Sequence, residues 1–128
     1  MKTENILDLD CTKKENIKQI NRFLWKIKPL VRILEKQGCT KAEQIPLELL
    51  EQALQGMMAH YKYQTQGINF YFEEQENKKV FVFYNVSVLR VRKTRDWIGN
   101  VYGKTLWEVV AKLLIKIYAD VKKEKEKV

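Results

Sequence analysis

Thr105-Leu106-Trp107-Glu108-Val109-Val110-Ala111-Lys112-Leu113-Leu114-Ile115-Lys116-Ile117-Tyr118-Ala119-Asp120-Val121 is the stretch that decides the fold. Thr105 with Glu108 spells a capping box, in which the hydroxyl accepts a helix amide and the Glu reaches back. Leu106, Val109, Val110, Leu113, Leu114, Ile117 and Val121 then keep helical spacing. Trp107, Ala111, Ile115 and Tyr118 widen the apolar arc well beyond a one-sided stripe. Only Lys112, Lys116, Ala119, Asp120 and Lys123 form a polar edge. Such a helix must run through the centre of the fold or also pack against a second subunit. Self-association through it, as a homodimer, is therefore expected.

Upstream, alternation replaces the helical period. Ile68, Phe70 and Phe72 face one way, and Asn69, Tyr71 and Glu73 the other. Glu74-Gln75-Glu76-Asn77-Lys78 turns the chain. Val80 to Val91 returns as extended structure rich in Val, Phe and Tyr. The apolar phase slips between Val88 and Leu89, which predicts a bulge or a break into two strands. Residues 94–104 read as a loop. An extended sheet of this size needs cover on one face, and the last helix is the element to supply it.

Two helices precede the strands. Thr12 with Glu15 reads as another capping box. Ile17, Ile20, Leu24, Ile27, Val31 and Leu34 stay in phase across Pro29 and predict a helix from about 13 to 37, kinked or interrupted at that proline. Gly38 supplies its stop. A second helix starts near Pro46 and buries Leu47, Leu50, Leu54, Met57, Met58 and Tyr61, with Gly67 ending the region. Residues 1–11 read as an arm and 122–128 as a charged tail that frays. The expected fold is α+β: two N-terminal helices, an antiparallel sheet of two or three strands, and a long C-terminal helix packed on it. At 128 residues the chain has room for one domain with one core.

Composition bounds the function. Apolar residues make up 45% and charged residues 31%, an ordinary globular balance, and no apolar run is long enough to span a bilayer. The start of the chain lacks the layout of a signal peptide, so a cytoplasmic location is expected. Cys11 and Cys39 fit neither a metal spacing nor a disulfide framework. The net charge of +8 favours an anionic partner: nucleic acid, an acidic protein face or an anionic membrane surface.

Catalytic signals are weak. Gly99 to Thr105 resembles a phosphate-binding P-loop, but three residues separate Gly99 from Gly103 where that loop needs four. A plain loop leading into a capped helix explains the same residues. His60 is the single histidine, and nothing in the spacing sets it beside Ser87, Cys11 or Cys39. The carboxylates are interleaved with lysines, and no cluster has metal spacing. A non-catalytic protein without metal or cofactor is expected.

Binding signals are stronger. Between Glu15 and Glu35 no acidic residue occurs, and Lys14, Lys18, Arg22 and Lys26 make a ridge at i,i+4 spacing. Like charges so placed cost a few tenths of a kcal/mol per pair. On a helical wheel Trp25 falls among these cations. Two readings fit: phosphate contact with base stacking, or a solvated lysine face with Trp25 covered by a neighbour. Arg90, Arg92, Lys93 and Arg95, followed by Trp97, make a second basic cluster. It suits phosphate binding or the guarding of an edge strand.

The order of helix, strands and helix resembles a double-stranded RNA-binding domain in topology. The lysine-rich start of that family's last helix is replaced here by Gly103-Lys104-Thr105-Leu106-Trp107-Glu108. Those six residues are similar to the glycine-threonine-leucine-x-glutamate helix start of HicB-like antitoxins, and a capping box explains them without kinship. Small size, high lysine content and lack of motifs resemble accessory proteins of phages and mobile elements. Two functions are expected from these readings. One is nucleic-acid binding through the first helix and the Arg90 to Arg95 cluster. The other is a protein-binding regulator or inhibitor, whose partner meets the last helix or an exposed tryptophan.

Overall fold

The computed structural model describes residues 3–91 and 94–126, without the side chains of 3, 4, 67–73, 79, 81, 82 and 126. The elements in chain order are α1 (Thr3–Leu7), α2 (Lys14–Leu24), α3 (Lys28–Lys36), α4 (Leu47–Tyr61), β1 (Tyr63–Gln75), β2 (Lys78–Val91), β3 (Arg95–Gly103) and α5 (Leu106–Glu126). The three strands form one antiparallel sheet in the order β1-β2-β3. The α+β class and the long last helix packed on the sheet match the pattern of the sequence.

α5 is the middle layer. One side lies on β3 and β2, and the other meets α4, α1 and α2. Ala111, Leu114, Ile115 and Ile117 have 0% of their surface exposed, and each large apolar side chain so buried contributes about 1.5–3 kcal/mol. Trp107, Tyr118 and Val121 also pack against the core. The wide apolar arc is thus covered within one chain. The homodimer expected through this helix loses its physical basis, because no broad apolar face of α5 is left for a second copy.

The start of α5 is built by its capping box. The Glu108 amide donates to Thr105 Oγ1 at 3.1 Å, while the Glu108 carboxylate accepts the Lys104 amide at 3.0 Å. Gly103 makes the tight junction with β3 feasible. A Cβ at that position would sit 2.7 Å from Val109 Cγ2.

Several expectations need correction. The helix expected from 13 to 37 is two helices, α2 and α3, with Pro29 in the first turn of the second. Inside a continuous helix its ring would strike the carbonyl of Trp25, four residues back, so the break comes one turn earlier than the proline. Of the expected stripe Ile20, Leu24, Ile27 and Leu34 are buried, but Ile17 and Val31 are only half-buried, and after the break Leu30 takes the core position expected of Val31. The Thr12–Glu15 box is not made: Lys13 is the N-cap of α2 and has no side-chain cap. The Thr12 amide donates to Asp10 Oδ1 at 3.0 Å instead. Residues 1–11 were expected as an arm, yet α1 packs on α5, and Ile6 and Cys11 are buried.

The loop expected at 94–104 is largely β3. Val88 pairs with Gly99 and Leu89 with Trp97, leaving Ile98 as an extra residue. The slip of phase at Val88–Leu89 therefore does mark a bulge, carried by the partner strand. Gly99, at φ +143°, supplies the backbone for it. Gly67 does not close the second helix. α4 ends at Tyr61 with Lys62 left-handed, and Gly67 sits at a register shift inside β1. The facing of residues 68–73 lies outside the described side chains. No helix among the described residues is long and apolar enough to cross a membrane.

Candidate functional site

α2 gives one wall of a cleft of about 910 Å³. Lys14, Lys18, Arg22 and Lys26 are exposed along it. Within the helix four residues span about 6 Å, so Lys14, Lys18 and Arg22 stand in a line along one edge, while Lys26, expected as the fourth member of the helical ridge, lies past the helix end. Trp25, the C-cap residue of α2, is half-buried where the chain breaks toward α3. The opposite wall is the α3–α4 connection, with Lys41, Ala42 and Gln44.

A buried side chain sets the distance between the walls. Asn21 is 7% exposed and uses both ends of its amide. Its Nδ2 donates to the Glu43 carbonyl at 3.0 Å, and its Oδ1 accepts the Ile45 amide at 2.8 Å. From the other side, Trp107 Nε1 donates to the Ile45 carbonyl at 2.7 Å. The connection is therefore anchored to both α2 and α5, and the cleft is a fixed feature of the fold.

The electrostatics are one-signed. Lys14, Lys18, Arg22, Lys26 and Lys41 line the cleft, and among the described residues no carboxylate does. None of the five makes an ion pair among the described residues. Lys41 Nζ lies 5.9 Å from the centre of the Trp25 ring and Lys26 Nζ 5.2 Å from that of Phe23, both within cation–π range. Trp25 Nε1 is buried without a hydrogen-bond partner. The ridge read from the sequence is thus brought together with its tryptophan. The sequence missed Lys41 and Asn21, because no periodicity joins a loop residue to a helix twenty positions away. The one available signal was an Asn at an otherwise apolar helix position.

The second basic cluster is divided. Arg90 turns toward α5, where its guanidinium meets Asp120 at 3.2 Å, Glu124 at 2.8 Å and Asp96 at 3.5 Å. Tyr63 donates its hydroxyl to the same Asp120 oxygen at 2.5 Å. Partial burial pulls the Arg90 pKa down, but the facing carboxylates outweigh it and hold the value up. Three carboxylates already balance this charge. Arg92 and Lys93 lie outside the described residues. Arg95 and Trp97 are exposed on β3, and Trp97 Nε1 donates to Asn100 Oδ1 at 2.9 Å.

A third polar group went unread in the sequence. Lys112, assigned there to the polar edge of the last helix, is 4% exposed. Its Nζ donates to Glu108 Oε2 and to the Leu9 carbonyl, each at 2.7 Å. Cys11 lies against this pair. Burial, then the Glu108 charge, pushes its thiol up from 9.0 to about 12, with Lys112 opposing. The signal available was the i,i+4 spacing of Glu108 and Lys112. A hollow of about 410 Å³ opens beside them, between residues 7–10 and 102–104. Four of its charges pair, Glu108 with Lys112 and Asp10 with Lys104 at 3.8 Å, and Asp8 also lines it. The Lys112 group locks the N-terminal segment onto α5. Residues 99–105, which resembled a P-loop, form the end of β3 and the cap of α5. His60 is exposed and meets Tyr61 edge to face.

No family model matches this chain, and no curated protein and no solved structure matches it either.

Proposed function

We propose that this protein is a non-catalytic nucleic-acid-binding module whose contact surface is the α2 cleft. The observation that carries the reading is a cleft with five cations around a half-buried indole, where among the described residues no carboxylate lines the walls and none of the five makes an ion pair. Phosphates are the anions that a line of separate point charges suits, because each contact releases a condensed counterion. Lys14, Lys18, Arg22 and Lys26 track the backbone, and Trp25 offers a surface for a base. Lys41 closes the ring of charge from the facing wall. Arg90 has no part in this reading, since its charge is spent inside the fold.

Fluorescence anisotropy with labelled single-stranded and duplex oligonucleotides at low salt tests it. Contact of this sequence-independent kind should bind with a dissociation constant of about 10⁻⁴ to 10⁻⁶ M or tighter. Trp25→Ala should weaken single-strand binding by about 1–3 kcal/mol where a base stacks on the ring. Thermal unfolding of the same variant separates that loss from a folding defect. Failure of every oligonucleotide to bind at low salt would end the reading.

A further inference from the structure

α5 covers one face of the sheet, and among the described residues the β2–β3 part of the other face carries exposed side chains. The pairing register sorts the side chains. Val86, Val88 and Val101 are buried against α5. Ser87, Leu89, Asn100 and Tyr102 alternate with them and point the opposite way. The contacts across this second face agree: Ser87 Oγ donates to Asn100 Oδ1 at 3.0 Å, and Phe83 meets Tyr102 with ring centres 6.0 Å apart. Trp97 joins the same face through its bond to Asn100 and stands 64% exposed, with Tyr102 at 52%.

We propose that this open face is a second contact surface, which stacks unpaired bases of single-stranded nucleic acid on Trp97 and Tyr102. The hydrogen bonding of Trp97 favours that occupant. Its single polar atom is already bonded to Asn100, and Asn100 is itself held by Ser87. The ring is fixed at low entropic cost, and what it still offers is its π face, which any base can use. Charge points the same way. Arg95, two residues from Trp97 on the same side of β3, is exposed and has no ion-pair partner among the described residues. The one acid of this strand, Asp96, is turned to Arg90 on the other face. A second copy of the chain is the poorer occupant, since it would set two chains of net charge +8 against each other. The face lies across α5 from the α2 cleft, so it stands or falls separately from that site.

The test is titration of the full-length protein with a labelled oligothymidylate over a range of salt. Trp97→Ala should weaken binding by about tenfold, with the salt dependence unchanged, because stacking releases few counterions. Trp97→Phe should retain most of the affinity. Trp97→Leu, which keeps apolar area without a π face, should lose it as Trp97→Ala does. Unchanged affinity in Trp97→Ala would overturn the proposal, whatever the cleft variants do. Full retention by Trp97→Leu would also overturn it, since plain apolar contact would then suffice. So would a dimer in sedimentation that Trp97→Ala dissolves, for the face would then belong to a second copy. Loss of salt dependence in variants of the α2 lysines with no effect at Trp97 would leave the cleft reading standing alone.

Discussion

Cys11 shows how a residue that is bland in sequence is shaped by its surroundings. Its thiol lies buried against Glu108, so the neutral form is the favoured one and the pKa rises from 9.0 to about 12. A pKa raised on folding means that its stabilising effect is whole below pH 9.0 and is lost as pH climbs toward about 12, because the unfolded chain ionises first. In that window the wild type should lose stability faster than Cys11→Ala, and urea unfolding at stepped pH measures the difference. A thiol reagent at mildly alkaline pH should modify half-buried Cys39 in the folded protein and reach Cys11 only on unfolding. Lys112 carries a larger effect. Lys112→Ala leaves the Glu108 carboxylate buried without its cation, and such unpaired burial costs about 3–5 kcal/mol. Replacing both, as Glu108→Gln with Lys112→Met, should recover much of that loss in thermal melts. Equal melting of the single and double variants would show that the pair has no such role.

At the level of elements, the legible parts were those with one strong period. α5 was readable from its apolar spacing and cap, and α2 and α3 from a stripe of which Ile20, Leu24, Ile27 and Leu34 are buried while Leu30 replaces Val31 after the break. The break between them was visible as Pro29, but its position was displaced because the ring acts on a carbonyl one turn back. β3 was hidden: Gly99, Asp96 and Asn100 are poor strand residues, and it forms because β2 supplies a full set of partners. The phase slip at Val88–Leu89 carried a trace of it. The basic ridge was legible because a helix places i and i+4 together. The wall facing it was not, since Asn21 binds a loop that no local pattern joins to α2. Arg90 was misplaced for the same reason, its partners Asp120 and Glu124 being some thirty residues on. Arg90→Ala should leave those two carboxylates facing each other without a cation and lower stability by about 1–3 kcal/mol in urea unfolding. The same variant should leave the salt dependence of nucleic-acid binding as in the wild type, whereas a phosphate contact at Arg90 would lower it.

At the scale of the molecule, α5 separates two surfaces of different chemistry. On one side the helical layer presents a cleft of cations around Trp25 that make no ion pair among the described residues. On the other the sheet presents aromatic rings among amides and hydroxyls. The core that joins them is complete within the chain, because α5 is covered on both sides. The net charge of +8 is therefore not spread evenly. It is concentrated where α2 has no acid between Glu15 and the end of the helix, while Arg90, Lys104 and Lys112 are balanced by acids within the fold. Net charge alone made an anionic partner reasonable, and the cleft gives that charge an address. The most direct measurement is the slope of log affinity against log salt concentration for the wild type and for Lys18→Ala, Arg22→Ala and Lys26→Ala combined. Each phosphate contact contributes about 0.9 to that slope on duplex DNA and about 0.7 on a single strand. The triple variant should keep its folded stability, since all three side chains are exposed. Its slope should be shallower by about three units on duplex and about two on a single strand. Equal slopes for the two proteins, or no binding by the wild type at low salt, would contradict the account.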